Sequence, residues 1–242
     1  YTSPEAGMAD YRMYAGKPVV IKPKSTNFGL GITILKHNYD ETDFKGALQI
    51  AFEHDNTLLI EKFIPGREFR IFIINDEVVG ILHRVPANVT GDGVLNIGQL
   101  IDRKNEDPLR GKGYRTPLEK IRKGREEEMF LKQQGMDFNT VPKEGEVVYL
   151  RENSNISTGG DSIDFTDDID DSYKAIAVEA AKALNVKITG LDMMIQDIHA
   201  PATPDNYAII EMNFNPAIHI HCYPFKGKNR HLNHKMIRAL GF

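Results

Sequence analysis

The sequence predicts an α+β fold built mostly from antiparallel sheets, and two patterns predict it. Short runs rich in Val, Ile and Phe alternate with Gly, Pro, Asn and Asp turns, the punctuation of strands joined to their sequence neighbours. Only two long stretches, 40–55 and 171–185, carry an apolar stripe at helical spacing. Strands outnumber helices in this reading, which favours α+β over an alternating α/β chain.

In order, "PVVIKP" (18–23) and "GITIL" (31–35) are β-branched runs flanking the loop "KSTNFGLG". Residues 40–55 place Phe44, Leu48, Ala51 and Phe52 on one helical stripe, with Asp40 as N-cap. "TLLIEKF" (57–63) is a strand, and "EFRIFII" (68–74) and "VVGILHRV" (78–85) flank the hairpin turn "NDE". From Arg103 to Glu128 the chain holds nine Lys/Arg and six Asp/Glu, which reads as a charged surface excursion with some helix. "EVVYL" (146–150) is a strand, "DSIDFTDDIDD" (161–171) holds six aspartates, and 171–185 is a helix capped by Asp171 or Ser172. "VKITGLDMMIQD" (186–197) and "NYAIIEMNF" (206–214) are strands joined by a Pro-containing turn.

Composition excludes several classes. Lys plus Arg is 30 against 34 Asp plus Glu, a net charge of −4, so a chain-wide basic field for nucleic acid is absent. The acids interspersed in 103–125 dilute its charge, and stacking aromatics are scarce there. No apolar run approaches a membrane span, and the first residues lack a signal-peptide core. The one cysteine, Cys222, rules out an intrachain disulfide and fits a reducing cytoplasm. The chain lacks an initiator Met and reads as a piece of a longer or trimmed polypeptide.

Four constellations could carry chemistry. In "IIEMNFNP", Glu211 and Asn213 are two apart on a strand and therefore face the same way. If that strand pairs antiparallel with "GLDMMI", Asp192 joins them, making a hard-oxygen cluster suited to Mg²⁺ or to a buried polar network. In "VVIKPKSTNFGLGI", Lys22 ends a strand and is followed by Lys24, Ser25, Thr26, Asn27, Gly29 and Gly31; such a loop can cradle phosphate, and an ordinary hairpin loop reads the same way. "LLIEKFIPGREF" crosses from strand to strand and offers free backbone groups to a flat heterocycle, with Glu68 able to accept from vicinal hydroxyls or to pair with a surface arginine. "LRENSNISTGGDS" follows a strand-end Arg151 with amides, hydroxyls and glycines, and any polar turn looks similar. A His-x-His-Cys metal site in "HIHCYP" is weaker than simple packing of those residues.

Taken together, the stretches "VVIKPKSTNFGLGI", "HRVPANVTGDG", "DPLRG", "YLRENSNISTGGDSIDFTD" and "IIEMNFNPAIHIHCYPFKG" are similar to the C-terminal module of the bacterial bifunctional glutamate–cysteine ligase/glutathione synthetases, an ATP-grasp ligase. The resemblance covers nearly all of the chain. Two of its most specific stretches are shared with cyanophycin synthetase, which leaves another ATP-grasp amide ligase, or a non-catalytic nucleotide-binding module, as alternatives. The resemblance implies an ATP-grasp fold of two lobes, 1–62 (possible incompleteness at its start) and 63–242 with a charged insertion near 103–128. It implies glutathione synthesis from γ-glutamylcysteine and glycine through an acyl phosphate, with ATP and two Mg²⁺ or Mn²⁺ ions, in the cytoplasm, as a homodimer through the full-length chain. By position, Lys22, Lys24, Ser25, Asn27, Gly29 and Gly31 would contact ATP phosphates, Glu61, Lys62 and Ile64 the adenine, and Glu68 the ribose. Asp192, Glu211 and Asn213 would hold metal, and Arg84 and Arg151 would act on the transferring phosphoryl group. Asn153, Asn155, Thr158, Gly159 and Gly160 would face the peptide substrate. Neither the glutamate–cysteine ligase module nor the domain that usually precedes ATP-grasp lies in this sequence.

Overall fold

Residues 1–26, 30–36 and 38–241 are described by a computed structural model. Two compact units make up the chain, Tyr1–Ile64 and Pro65–Phe242.

The first unit carries helices α1 (Pro4–Ala9) and α2 (Tyr11–Tyr14), strands β1 (Val19–Pro23) and β2 (Thr33–Leu35), helix α3 (Glu41–Phe52) and strand β3 (Leu58–Lys62). The strands form an antiparallel sheet in the order β2-β1-β3. Alternation along β1 buries Val19 and Ile21 against Phe44, Leu48 and Ala51 of α3 and turns Val20 and Lys22 to the other face. A capping box starts α3: the Asp40 carboxylate accepts from the Asp43 N–H, and Asp43 accepts from the Asp40 N–H. That reciprocal pair satisfies two donors the first turn would otherwise leave unpaired.

The second unit begins with a hairpin, β4 (Arg67–Ile74) and β5 (Glu77–Val85). Asn75 and Asp76 both adopt positive φ at its tip, the conformation a tight two-residue turn demands. There follow β6 (Asn88–Thr90), α4 (Ile97–Lys104), β7 (Arg110–Gly111), β8 (Leu118–Glu119), α5 (Arg125–Gln133) and β9 (Val147–Tyr149). The chain closes with β10 (Asp161–Asp164), α6 (Asp171–Ala183), β11 (Ile188–Ile195), β12 (Tyr207–Asn213), α7 (His219–Cys222) and α8 (Leu232–Ala239).

Its main sheet has the order β10-β5-β4-β11-β12, and every neighbouring pair is antiparallel. One face packs on α6: Phe69, Ile71, Ile73, Leu191 and Met193 meet Tyr173, Ala177 and Ala181. Period-two alternation sends the intervening residues to the opposite face, where Phe72 and Val79 meet Cys222 and Leu232 of the C-terminal segment. A separate apolar cluster joins Val89, Ile97, Leu100, Ile101, Leu131 and Val148.

Two sequence readings change here. The N-cap of α6 is Asp170, whose carboxylate accepts from the Ser172 N–H, instead of Asp171 or Ser172. Asp170 is selected because its own N–H is held by the Ile198 carbonyl. The charged stretch 103–128 is no simple surface excursion: Arg110, Glu119 and Glu127 within it are buried, each against a polar partner.

Candidate active site

The polar face of the main sheet is assembled by strand register. Asp192 lies opposite Arg70 on one side and opposite Glu211 on the other, and Gly190 lies opposite Asn213. Residues directly paired across strands share a face, so three neighbouring strands deliver one row of polar groups. Arg70 grips Asp192 with two donors, Nε to Oδ1 and Nη2 to Oδ2, the latter at 2.9 Å. Gly190 permits this arrangement, since a Cβ there would stand 2.7 Å from Pro216 Cβ and 3.0 Å from Arg70 Cδ.

Arg84, at the end of β5, donates from Nη2 to Asp192 Oδ2 at 2.9 Å and also pairs with Glu68. The hydroxyl of Ser154 donates to the Glu68 carboxylate. The result is one connected chain of groups, Ser154–Glu68–Arg84–Asp192–Arg70, with Glu211 opposite Asp192 on the other side. Asn213 Nδ2 donates to Glu211 Oε1 at 3.1 Å, so these two side chains share their face as alternation requires. Burial opposes ionisation of Asp192, but the Arg70 hydrogen bond and the charges of Arg84 and Arg70 outweigh it and hold the carboxyl below its ordinary range. The Nε–H of Arg84 is buried with no hydrogen-bond partner among the described residues. A guanidinium donor left over beside two carboxylates is an unmet demand for an oxygen acceptor.

The loop after β9 folds on itself. Asn153 Oδ1 accepts from Thr158 Oγ1 at 2.9 Å, and the N–H of Gly160 donates to the Asn155 carbonyl at 3.2 Å. Gly159 adopts φ +94°, and a Cβ on it would stand 2.8 Å from Ile121 Cα. Arg151 does not join the Arg84 network. Its guanidinium pairs instead with Glu126 and, at 2.6 Å, with buried Glu127 of α5.

In the first unit, Lys22 Nζ lies 2.7 Å from a Glu61 carboxylate oxygen, both on the sheet face turned away from α3. The Lys24 N–H donates to the Thr57 carbonyl, and the Ser25 N–H donates to Asp55 Oδ2 at 2.7 Å. Gly31 packs on His54 and Pro23. Lys62 ends β3 opposite Val19, and Ile64 is the last residue of the unit. Asn27 and Gly29 lie outside the described residues.

Residues 3–96 match the family described as D-ala D-ala ligase C-terminus. The chain is 62% identical over all of its 242 residues to the glutathione biosynthesis bifunctional protein GshAB of Desulfotalea psychrophila, and covers 31% of that protein. It is 55% identical, over 99% of its length, to the protein of the same name from Clostridium perfringens, again covering 31% of it. It therefore spans about a third of the length of these curated relatives. The crystal structure of a bifunctional glutathione synthetase from Pasteurella multocida superposes with a TM-score of 0.73 at 46% identity, over 99% of this chain and 33% of that one. The chain has the ATP-grasp fold.

Within this ATP-grasp module, sequence reasoning missed Arg70 and Ser154. Arg70 had a signal: it is a cation inside the apolar run "EFRIFII", two residues from Glu68, and so on the same strand face. Ser154 had none beyond membership of a polar loop. The His-x-His-Cys segment packs into the core: His221 and Cys222 are buried, and His221 lies edge-on to Phe72.

Two buried histidines give the ATP-grasp module an acid-sensitive stability. Burial pushes His83 down to about 4, with help from Arg67, and burial pushes His221 down to about 3, with help from Arg70. Between the unfolded value near 6.5 and these folded values, the unfolded chain binds more protons, so stability rises with pH. The urea midpoint is expected to be level above about pH 7 and to fall below about pH 6.5, each histidine contributing at most about 1.4 kcal/mol per pH unit. A midpoint unchanged between about pH 7 and pH 5 would show that neither histidine is buried neutral.

Proposed function

We propose that this chain is the glutathione-forming portion of a bifunctional glutathione biosynthesis enzyme. It joins the free carboxylate of the cysteinyl residue of γ-glutamylcysteine to the amine of glycine at the expense of ATP. The single observation that carries the proposal is Arg84: it bridges Glu68 and Asp192, keeps an unpartnered Nε–H, and stands on the same sheet face as Glu211 and Asn213. The identity to bifunctional relatives across the whole chain supports the choice of substrates.

The reaction balances in two displacements. A carboxylate oxygen attacks the γ-phosphorus of ATP, the bond to the β-phosphate oxygen breaks, and ADP leaves an acyl phosphate. The glycine amine attacks the acyl carbon, inorganic phosphate departs, and the nitrogen sheds a proton. No protein nucleophile is required, so the protein must bring an anion to a polyanion and offset their repulsion. Arg84 offers a fixed planar cation for this; its Nε–H is enclosed and without an acceptor, and meeting a phosphoryl oxygen requires its side chain to shift.

ATP-grasp ligases use ATP with a divalent cation. The donor set here fits a hard one: two carboxylates and an amide oxygen on adjacent strands, with Glu211 exposed and the Asn213 Oδ1 not engaged in any hydrogen bond among the described residues. Asp192, Glu211 and Asn213 would hold Mg²⁺ or Mn²⁺, two ions in all with phosphate oxygens, and these supply charge neutralisation during phosphoryl transfer. Arg84 gives up part of its hold on Asp192 when such charge arrives. Lys22, Lys24, Ser25, Asn27, Gly29 and Gly31 contact the phosphates, Glu61, Lys62 and Ile64 the adenine, and Glu68 the ribose. Arg151 reaches the acyl phosphate by exchanging one of its two glutamate partners. Asn153, Asn155 and the turn Thr158–Gly160 face γ-glutamylcysteine. The full-length protein carries the glutamate–cysteine ligase activity as well, acts as a homodimer and works in the cytoplasm; among the described residues no helix is long and apolar enough to cross a membrane.

The test is ADP release by the full-length protein with γ-glutamylcysteine and glycine, run beside an aspartate polymer with arginine. Release with the first pair alone is the expected result. Release with the second pair alone would make it a cyanophycin-type ligase, and ATP binding with no release under either would leave a nucleotide-binding module.

A further inference from the structure

We propose that Arg110 is a positioning residue for the turn Thr158–Gly160, gripping it through the Gly159 carbonyl and the Asp161 carboxylate; this rests on the ligase reading above, in which that turn faces the peptide substrate. Arg110 belongs to the charged stretch between α4 and α5, and its side chain is fully enclosed. Nη1 donates to the carbonyls of Glu119 at 2.9 Å and Gly159 at 3.0 Å, and Nη2 pairs with Asp161 Oδ1.

Asp161 has a cation of its own apart from Arg110. Lys104 Nζ already pairs with Asp161 Oδ2 at 2.7 Å, and it spends its other donors on Asn88 O at 2.9 Å and Asn88 Oδ1 at 3.0 Å. Asp161 is thus paired without Arg110, and the charge of Asp107 acts on both cations as well. Enclosing the Arg110 guanidinium still costs stability, its burial opposing the charge in spite of both carboxylates. The ring of Phe225 offsets part of that cost, with its centroid 5.2 Å from Lys104 Nζ and 5.4 Å from Arg110 Cζ. What the guanidinium adds is geometry: its two Nη atoms reach two carbonyls and a carboxylate from one rigid plane, a span that the single nitrogen of an ammonium does not offer.

The grip sits where it controls the turn. A Cβ on Gly160 would stand 2.8 Å from the carbonyl oxygens of Val85 and Asn155, so the turn lies hard against the end of β5. Asp161 pairs in register with Val85, the neighbour of Arg84. At its other end the same loop is tied by Ser154 to Glu68. The loop is therefore pinned to the Arg84–Glu68 network at one end and to Arg110 at the other. Releasing the Arg110 end loosens the turn while the sheet that carries Asp192 stays paired.

The experiment compares Arg110→Lys and Arg110→Gln with wild type in the full-length protein. Because Lys104 still pairs with Asp161, both variants are expected to fold. For each, the KM for γ-glutamylcysteine is expected to rise at least about tenfold, with the KM for ATP within about twofold and kcat within about threefold. Lysine is expected not to rescue, since it restores charge without the fork. Amide hydrogen exchange without substrate is expected to quicken at residues 153–160 and to stay unchanged in β4 and β11. Wild-type peptide KM in Arg110→Gln, or exchange that quickens equally throughout the second unit, would overturn the proposal, the latter marking Arg110 as a structural residue only. If wild type fails the ligase test, the substrate reading falls by itself. Exchange then decides the positioning role: loosening confined to 153–160 upholds it, and uniform or absent change overturns it.

Discussion

Glu211→Gln is expected to slow turnover by about 100-fold or more while leaving the ATP dissociation constant within about threefold. The substitution is nearly isosteric, and Glu211 is exposed on the edge strand β12, so no cavity or buried unpaired group results. A glutamine carbonyl can keep the bond from Asn213 Nδ2. What disappears is one negative charge from a set whose other carboxylate, Asp192, is already shared by two guanidinium groups. Glu211 is therefore the carboxylate best able to bind a divalent cation without first breaking an ion pair. ATP affinity draws on many contacts, whereas phosphoryl transfer depends on charge neutralised at the moment of reaction, so turnover suffers first. The checks are ADP release across a Mg²⁺ titration and ATP binding by calorimetry. Half-maximal activity should require more Mg²⁺ in the variant. Wild-type turnover at ordinary Mg²⁺ in a folded Glu211→Gln protein would remove Glu211 from the metal set.

Arg84→Lys is expected to cost about 100-fold or more in turnover, with stability changed far less. Arg84 bridges two carboxylates and holds its Nε–H free of any partner among the described residues. Lysine preserves one unit of charge and can satisfy one carboxylate, but it has no planar fork and no second edge to present to a phosphoryl oxygen. Asp192 stays paired with Arg70 in the variant, so the sheet keeps its buried ion pair. A purely structural Arg84 would give the reverse pattern, a lower melting temperature with kcat unchanged at temperatures well below it. Measuring kcat, the ATP dissociation constant and the melting temperature on the same preparation separates the two.

Much of the fold was legible because its signals are local. The β4–β5 hairpin was written in alternation and in Asn75-Asp76, and α3 in an apolar stripe behind Asp40. Helix α5 was blurred by its charge density: it buries Leu131 and Glu127 amid exposed charges, too few apolar positions to stand out. The cap of α6 was ambiguous because "DIDDS" offers several adjacent capping side chains, and a long-range bond from Asp170 to Ile198 chose among them. In the site, Lys22 and Glu61 could be named separately, yet their 2.7 Å pairing follows only from the register of β1 with β3.

By itself the sequence determined which side chains share a strand face. Glu211 with Asn213, and Glu68 with Arg70, follow from the covalent geometry of an extended chain, which turns over at every residue. The tertiary structure decided which charges neutralise which. Asp192 is gripped by Arg70 and Arg84, 122 and 108 residues away, and Asp161 by Arg110, 51 residues away. It also turned Arg151 toward α5, contrary to any reading of its own neighbourhood. The reason is physical: alternation is set by bonds within a few residues, whereas an ion pair is set by strand register and by burial, and both exist only once distant segments have packed.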